Sequence, residues 1–146
     1  MSAPRKVVGA DDFELLTVIG QGSFGKVVRA CDCREQRTVA VKVIRNKTRF
    51  HKQALVEGKV LQHLRDHDPH GDHGFVKMLH HFYFRGHLCI SFELLSINLY
   101  ELIKSNSYAG LSPALIRRFA SQLLASLRFL RKHRIVHCDL KPENIL

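Results

Sequence analysis

Apolar and polar positions divide the chain into two regimes. Residues 13–19 are largely β-favouring, 20–25 are rich in glycine, and 26–30 turn apolar again, which predicts two strands joined by a glycine turn. A third strand is expected over 39–44. Between 50 and 65, Phe50, Ala54, Leu61 and Leu64 recur at helical intervals, although Gly58 in the helix interior costs about 1 kcal/mol relative to Ala. Residues 75–84 and 87–94, parted by Arg85 and Gly86, predict a hairpin. After Glu93 the period becomes helical, first over 98–104. A long helix then begins with Ser112 as N-cap and Pro113 at its first position, where a missing N–H does no harm. Its apolar stripe is Ile116, Phe119, Ala120, Leu123, Leu127 and Leu130, and His133 and Arg134 suit its C-terminal dipole. A lone helix of this size needs partners, so part of the stripe is expected to be bare.

Composition adds little to this division. The 146 residues are 45% apolar, as in a globular core, and the formal charge is +10 with a pI near 9.9. Such a charge suits nucleic acid, but Lys and Arg exceed Asp and Glu by only 15 to 10 over 1–94 and by 8 to 3 over 95–146. The excess gathers on the long helix, at Arg117, Arg118, Arg128, Arg131 and Lys132, and reads as a solvated face rather than a specific nucleic-acid site. The four cysteines form no C-x-x-C pair and no signal-like apolar run opens the chain. A reducing compartment, cytoplasm and/or nucleus, is the expectation. No stretch approaches the roughly 20 apolar residues of a membrane span. His67, His70 and His73 recur at three-residue spacing, yet they fall in a polar segment with Pro69, Gly71 and Gly74. A hydrophilic loop is a better reading there than a metal site.

Three motifs carry candidate chemistry. Gly20-Gln21-Gly22-Ser23-Phe24-Gly25-Lys26-Val27 fits G-x-G-x-x-G-x-V. A dinucleotide-binding loop shares its first six positions but opens a helix at the last glycine, whereas Val27, Val28 and Ala30 continue as strand, favouring a phosphate-covering hairpin. In Val39-Ala40-Val41-Lys42 the lysine sits within an apolar strand, where an unpaired ammonium would be costly. Glu57 shares a helix face with Leu61 and Leu64 and is the candidate partner. Standing alone, the pair would be an ordinary buried salt bridge; beside the glycine turn and the motif at 137–144 it becomes a lysine aimed at phosphates. Finally, His137-Cys138-Asp139-Leu140-Lys141-Pro142-Glu143-Asn144 resembles the H-R-D-L-x-x-x-N catalytic loop of protein kinases, with Cys138 in place of Arg. In that loop Asp139 would orient the proton of a substrate hydroxyl, Lys141 would neutralise charge on the transferred phosphoryl and Asn144 would hold a magnesium ion.

Together these motifs resemble eukaryotic protein kinases, and among them the dual-specificity tyrosine-regulated kinases, the DYRK family. The closer resemblance rests on Val43-Ile44-Arg45-Asn46 running into Arg49-Phe50-His51, on Phe92-Glu93-Leu94-Leu95-Ser96 with Asn98-Leu99-Tyr100-Glu101-Leu102, and on Cys138 with the residues after it. It implies an α+β, protein-kinase-like fold: a five-stranded antiparallel N-lobe sheet with its C-helix, then the first helices of an incomplete helical C-lobe. The implied division is a flexible segment 1–12, the N-lobe 13–95 and the start of the C-lobe 96–146. Phe92 resembles the gatekeeper and Glu93 to Leu95 the hinge that meets adenine, while Val27 and Ala40 would sandwich the ring. Ile19 and Asn98 complete the implied nucleotide set. ATP and magnesium are the implied cofactors, and the Lys-Pro-Glu at 141–143 implies a protein Ser or Thr as acceptor. Cys138 cannot bind an activation-loop phosphate as Arg does; DYRK-like kinases share this Cys, and the resemblance implies activation by tyrosine autophosphorylation.

The Asp-Phe-Gly magnesium site, activation loop and peptide-binding helices have no counterpart in these residues. Two readings therefore compete: the N-terminal part of a serine/threonine kinase catalytic domain, or a truncated, catalytically incompetent fragment that binds nucleotide or a partner. Either way, negligible phosphotransfer and a tendency to aggregate are expected of the 146-residue chain by itself.

Overall fold

The computed structural model describes Gly9 and residues 12–146, so most of the expected flexible segment 1–12 lies outside the described residues. Five strands and three helices follow in the order β1 (Phe13–Gly22), β2 (Gly25–Asp32), β3 (Arg37–Ile44), α1 (Thr48–His67), β4 (Met78–Phe84), β5 (His87–Glu93), α2 (Leu99–Ser105) and α3 (Pro113–Lys132), with a short 3-10 turn at Pro142–Asn144. They separate into two compact units. One comprises the described residues up to Pro69 together with Val76–Leu94, the other His70–Phe75 with Leu95–Leu146.

In the first unit the strands form one antiparallel sheet in the order β1-β2-β3-β5-β4. Cross-strand pairing places Ala40 opposite Phe92 and Lys42 opposite both Val27 and Ile90, so these side chains share a face. That face is covered by α1: Ala40, Ile44, Leu88, Ile90 and Phe92 pack with Phe50 and Ala54, and Val27, Leu61 and Met78 lie against them. The opposite face holds a second cluster of Phe13, Ala30, Val39, Val41, Phe82 and Cys89, in which the rings of Phe13 and Phe82 stack at 4.7 Å. Being sandwiched in this way makes β3 and β5 nearly continuous apolar runs. The β4–β5 turn uses Arg85 and Gly86, both at positive φ, the backbone that a two-residue hairpin of matching twist requires.

In the second unit, Ser112 caps α3 by accepting a hydrogen bond from Leu115 N, with Pro113 in the first turn. Phe129 and Leu130 are its buried residues, and the rings of His73, Phe75 and His133 surround Phe129 at 4.1, 5.6 and 4.4 Å. The Ser126 hydroxyl donates to His73 O at 2.6 Å.

Two expectations are corrected at this level. Strand β4 starts at Met78 rather than at 75, because the Phe75 ring packs on Phe129 and leaves the sheet. The glycine turn is tighter than its six-residue motif suggests, since β1 and β2 stay paired as far as Gly22 and Gly25.

Candidate active site

The glycine turn is built by steric necessity. At Gly25, φ is +147° and an added Cβ would lie 2.0 Å from Val43 O, so no other residue fits. A Cβ on Gly22 would meet the Phe24 ring at 2.7 Å. Room left by that glycine lets Phe24 fold back, and its ring lies 4.7 Å from Lys42 Nζ, in cation–π range. Arg45 N donates to Phe24 O at 2.8 Å, tying the turn to the end of β3. Gly20 pairs with Val27 and Gln21 with Lys26. Ile19, on the edge strand, is half exposed, and Ser23 forms the turn with Phe24.

Lys42 projects from the covered face of β3 toward α1. Its Nζ donates to both carboxylate oxygens of Glu57, at 2.8 and 2.7 Å. The side chains are 18% and 40% exposed, so the pair is only partly desolvated. Glu57 reaches the lysine because it belongs to the stripe Phe50, Ala54, Glu57, Leu61 and Leu64, the one face that α1 turns to the sheet. The ammonium thus meets two carboxylate oxygens and the face of a ring.

Phe92 is buried in the cluster with Ala40. Glu93 is pinned twice to Lys77: its N–H donates to Lys77 O at 3.1 Å, and its Oε1 accepts from Lys77 N at 2.8 Å. Leu94 packs against the same cluster.

In the second unit Leu95 is exposed, and Asn98 serves as the N-cap of α2, its Oδ1 accepting from Glu101 N at 2.8 Å. The N–H of Leu99 donates to Ile145 O at 2.8 Å and so anchors the 3-10 turn beside α2. That turn returns Asn144 to Asp139, where Asn144 Nδ2 donates to the Asp139 backbone O at 2.8 Å and to its Oδ2 at 3.1 Å. Lys141 Nζ lies 2.9 Å from the same Oδ2. The Asp139 N–H donates to His137 Nδ1 at 3.2 Å. Cys138 adopts φ +65°, which turns the chain so that His137 and Asp139 can meet. The hydrogen bond from Lys141, then that from Asn144, holds the Asp139 carboxyl below its ordinary value, and Asp139 in turn pushes Lys141 up. At neutral pH one carboxylate, one ammonium and one amide are therefore gathered within hydrogen-bond reach.

Two comparisons place this arrangement. A family profile described as the protein kinase domain matches residues 13–146. The chain belongs to the protein kinase domain family. Over 134 residues, 92% of the chain, it is 57% identical to dual specificity tyrosine-phosphorylation-regulated kinase 2 of Drosophila melanogaster, 54% identical to the mbk-2 kinase of that name from Caenorhabditis elegans and 52% identical to the human kinase 3. It covers 19%, 16% and 23% of those three proteins, about a fifth of the length of the relatives it matches. Kinase domains as a class use ATP and a divalent metal ion.

Of the residues named from the sequence, the structure brings together Lys42 with Glu57 and Phe24, Ala40 with Phe92 and Val27, and Asp139 with Lys141 and Asn144. Sequence reasoning gave no separate part to His137, whose signal was its position two residues before Asp139. It also passed over Asp32, a buried acid at the β2–β3 turn whose Oδ1 accepts from Arg34 N and Glu35 N. An Asp ending an apolar strand ahead of polar residues is the mark of such a turn.

Proposed function

We propose that this chain is the N-terminal part of the catalytic domain of a DYRK-type kinase, and that the longer protein transfers the γ-phosphoryl group of ATP to Ser or Thr hydroxyls of proteins. The observation that carries this reading is the two-oxygen grip of Glu57 on Lys42 beneath a glycine turn without side chains at Gly22 and Gly25. A lysine so held presents a fixed positive charge where a triphosphate would be cradled by backbone N–H groups. The donor chemistry also fits a hard cation. Asn144 spends its amide N–H groups on Asp139, and its amide oxygen is the atom that magnesium would take. Bound magnesium and ATP would supply the phosphoryl group and screen its charge.

The residues of the chain then have distinct tasks. Lys42 and the turn align the α- and β-phosphates, and Ile19, Val27, Ala40 and the backbone of Glu93 to Leu95 hold adenine. Asp139, anionic at neutral pH, orients the acceptor hydroxyl and takes up its proton, while Lys141 offsets charge on the group in transfer. For the 146-residue chain alone, nucleotide binding with negligible turnover is the corresponding proposal.

Incubation of the longer protein with γ-labelled ATP, magnesium and a Ser/Thr peptide mixture tests the reading. Label on Ser or Thr, reduced about 10²- to 10⁴-fold by Asp139→Asn, is the expected result. Full labelling by the Asp139→Asn protein, or none by the wild type, would overturn it.

A further inference from the structure

Cys31, Asp32 and Cys33 close β2 and open the turn into β3. Side chains alternate along a strand, so the residue between two cysteines faces away from both. Here Asp32 is the inward one: it is 1% exposed, its Oδ1 accepts from Arg34 N and Glu35 N at 3.1 and 3.2 Å, and Arg37 Nε lies 3.8 Å from its Oδ2. With Asp32 fixed inside, the cysteines are directed together to the other side, where Glu14 of β1 pairs with Cys31. The backbone of Cys33 is held as well, its N–H donating to Asp12 O at 2.8 Å. The Cys33 thiol donates to Cys31 O at 3.9 Å, which brings it back over the residue that carries the other thiol. Cys33 is exposed and Cys31 partly so. The remaining cysteines lack this arrangement. Cys138 is exposed, with its thiol donating to Val136 O at 3.6 Å, and Cys89 is buried, which pushes its thiol up to about 11.

We propose that Cys31 and Cys33 form a dithiol modification site that low-molecular-weight disulfides, glutathione disulfide being the model reagent, convert to an intrachain disulfide. The thiolate of exposed Cys33 attacks one sulfur of the reagent, forming a mixed disulfide and expelling one glutathione thiolate. Cys31 then loses its proton and attacks the Cys33 sulfur, closing the Cys31–Cys33 bond and releasing a second glutathione thiolate. The protein loses two protons and two electrons, and one disulfide reagent takes them up to become two thiols. Burial, and next the neighbouring Cys33, push the Cys31 thiol up from its ordinary value, which lowers its thiolate fraction and leaves the first attack to Cys33. A disulfide spanning a single residue is tight, so excess thiol reverses it readily. Cys31 pairs with Thr38 and Val27 with Lys42, so the bond closes four residues along the hairpin from Lys42 and leaves its grip on Glu57 intact.

The test is peptide mapping by mass spectrometry of the 146-residue chain after glutathione disulfide treatment without denaturant, alongside Cys31→Ser. The wild type is expected to show the peptide containing residues 31 and 33 two hydrogens lighter, favoured over glutathione-capped Cys33 by about tenfold or more because the second thiol is held beside the first. In the same digest Cys138 carries glutathione, and in Cys31→Ser the adduct stays on Cys33. Persistent glutathione on wild-type Cys33, disulfides between chains through Cys33, or an unreacted pair beside a reacted Cys138 would each overturn the proposal.

Discussion

At the scale of single residues, position is decided by how many partners a charge has. Lys42 has two carboxylate oxygens and an aromatic face, which is why a lysine is tolerated in an apolar strand at all. A guanidinium is planar and longer, so Lys42→Arg would keep the charge and misplace it. On the proposed function, this substitution in the longer protein should lower kcat/KM for ATP by about 10²-fold with little loss of folding, as steady-state kinetics and a melting curve would show. Asp139 gives a second prediction. Its pKa is depressed by Lys141 and Asn144, so the stabilisation from this contact is present above the ordinary value of 3.8 and fades as pH falls through the lower folded value. For Lys141, raised by Asp139, the contribution holds below 10.5 and is lost as pH rises through the higher folded value. Lys141→Ala should therefore move the Asp139 carboxyl titration upward in an NMR pH series; an unchanged midpoint would remove Lys141 from the contact. Lys42, Glu57 and Asp139 were legible because each sits in a motif whose spacing reports its neighbours. The folding of Phe24 over Lys42 was not, since an aromatic between glycines does not reveal which way its ring turns.

At the scale of elements, two glycines show opposite demands of the backbone. Gly25 sits where a Cβ would strike Val43 O, and Gly58 sits in α1 where a Cβ would meet nothing closer than Met78 Sδ at 3.9 Å. Gly25→Ala should destabilise the first unit severely, by about 1 kcal/mol or more from φ alone before any displacement of β3. Gly58→Ala should stabilise it by about 1 kcal/mol through helix propensity. Urea denaturation of the two variants would show midpoints displaced in opposite directions. Among the described residues, periodicity revealed the existence and type of every regular element of four residues or more, because most of them, α2 excepted, bury an apolar face. Ends were less visible. Helix α1 runs two residues beyond the expected 50–65 at each side, since no side chain caps it and Lys47 leaves its start unmarked.

At the scale of the whole molecule, the apolar stripe of α3 is unevenly covered. Leu130 is buried, while Ile116 is 51% exposed and Leu124, which lies beside the stripe, 66%. Bare apolar surface on a helix promotes association, so the 146-residue chain should show concentration-dependent light scattering that a Ile116→Gln, Leu124→Gln double variant lowers. Scattering unchanged by the double variant would place the contact elsewhere. The membership of His70–Phe75 in the second unit was invisible in the sequence, because it depends on rings meeting Phe129 from more than fifty residues away. The most direct test of the central reading, that Lys42 is positioned to hold the phosphates of ATP, is to treat the chain with an ATP derivative bearing an acyl group on its terminal phosphate, which acylates an amine lying at the phosphates. Acylation of Lys42, suppressed by excess ATP and read by peptide mass spectrometry, is the predicted result. Lys42 labelled no more than exposed Lys26, and insensitive to ATP, would contradict it.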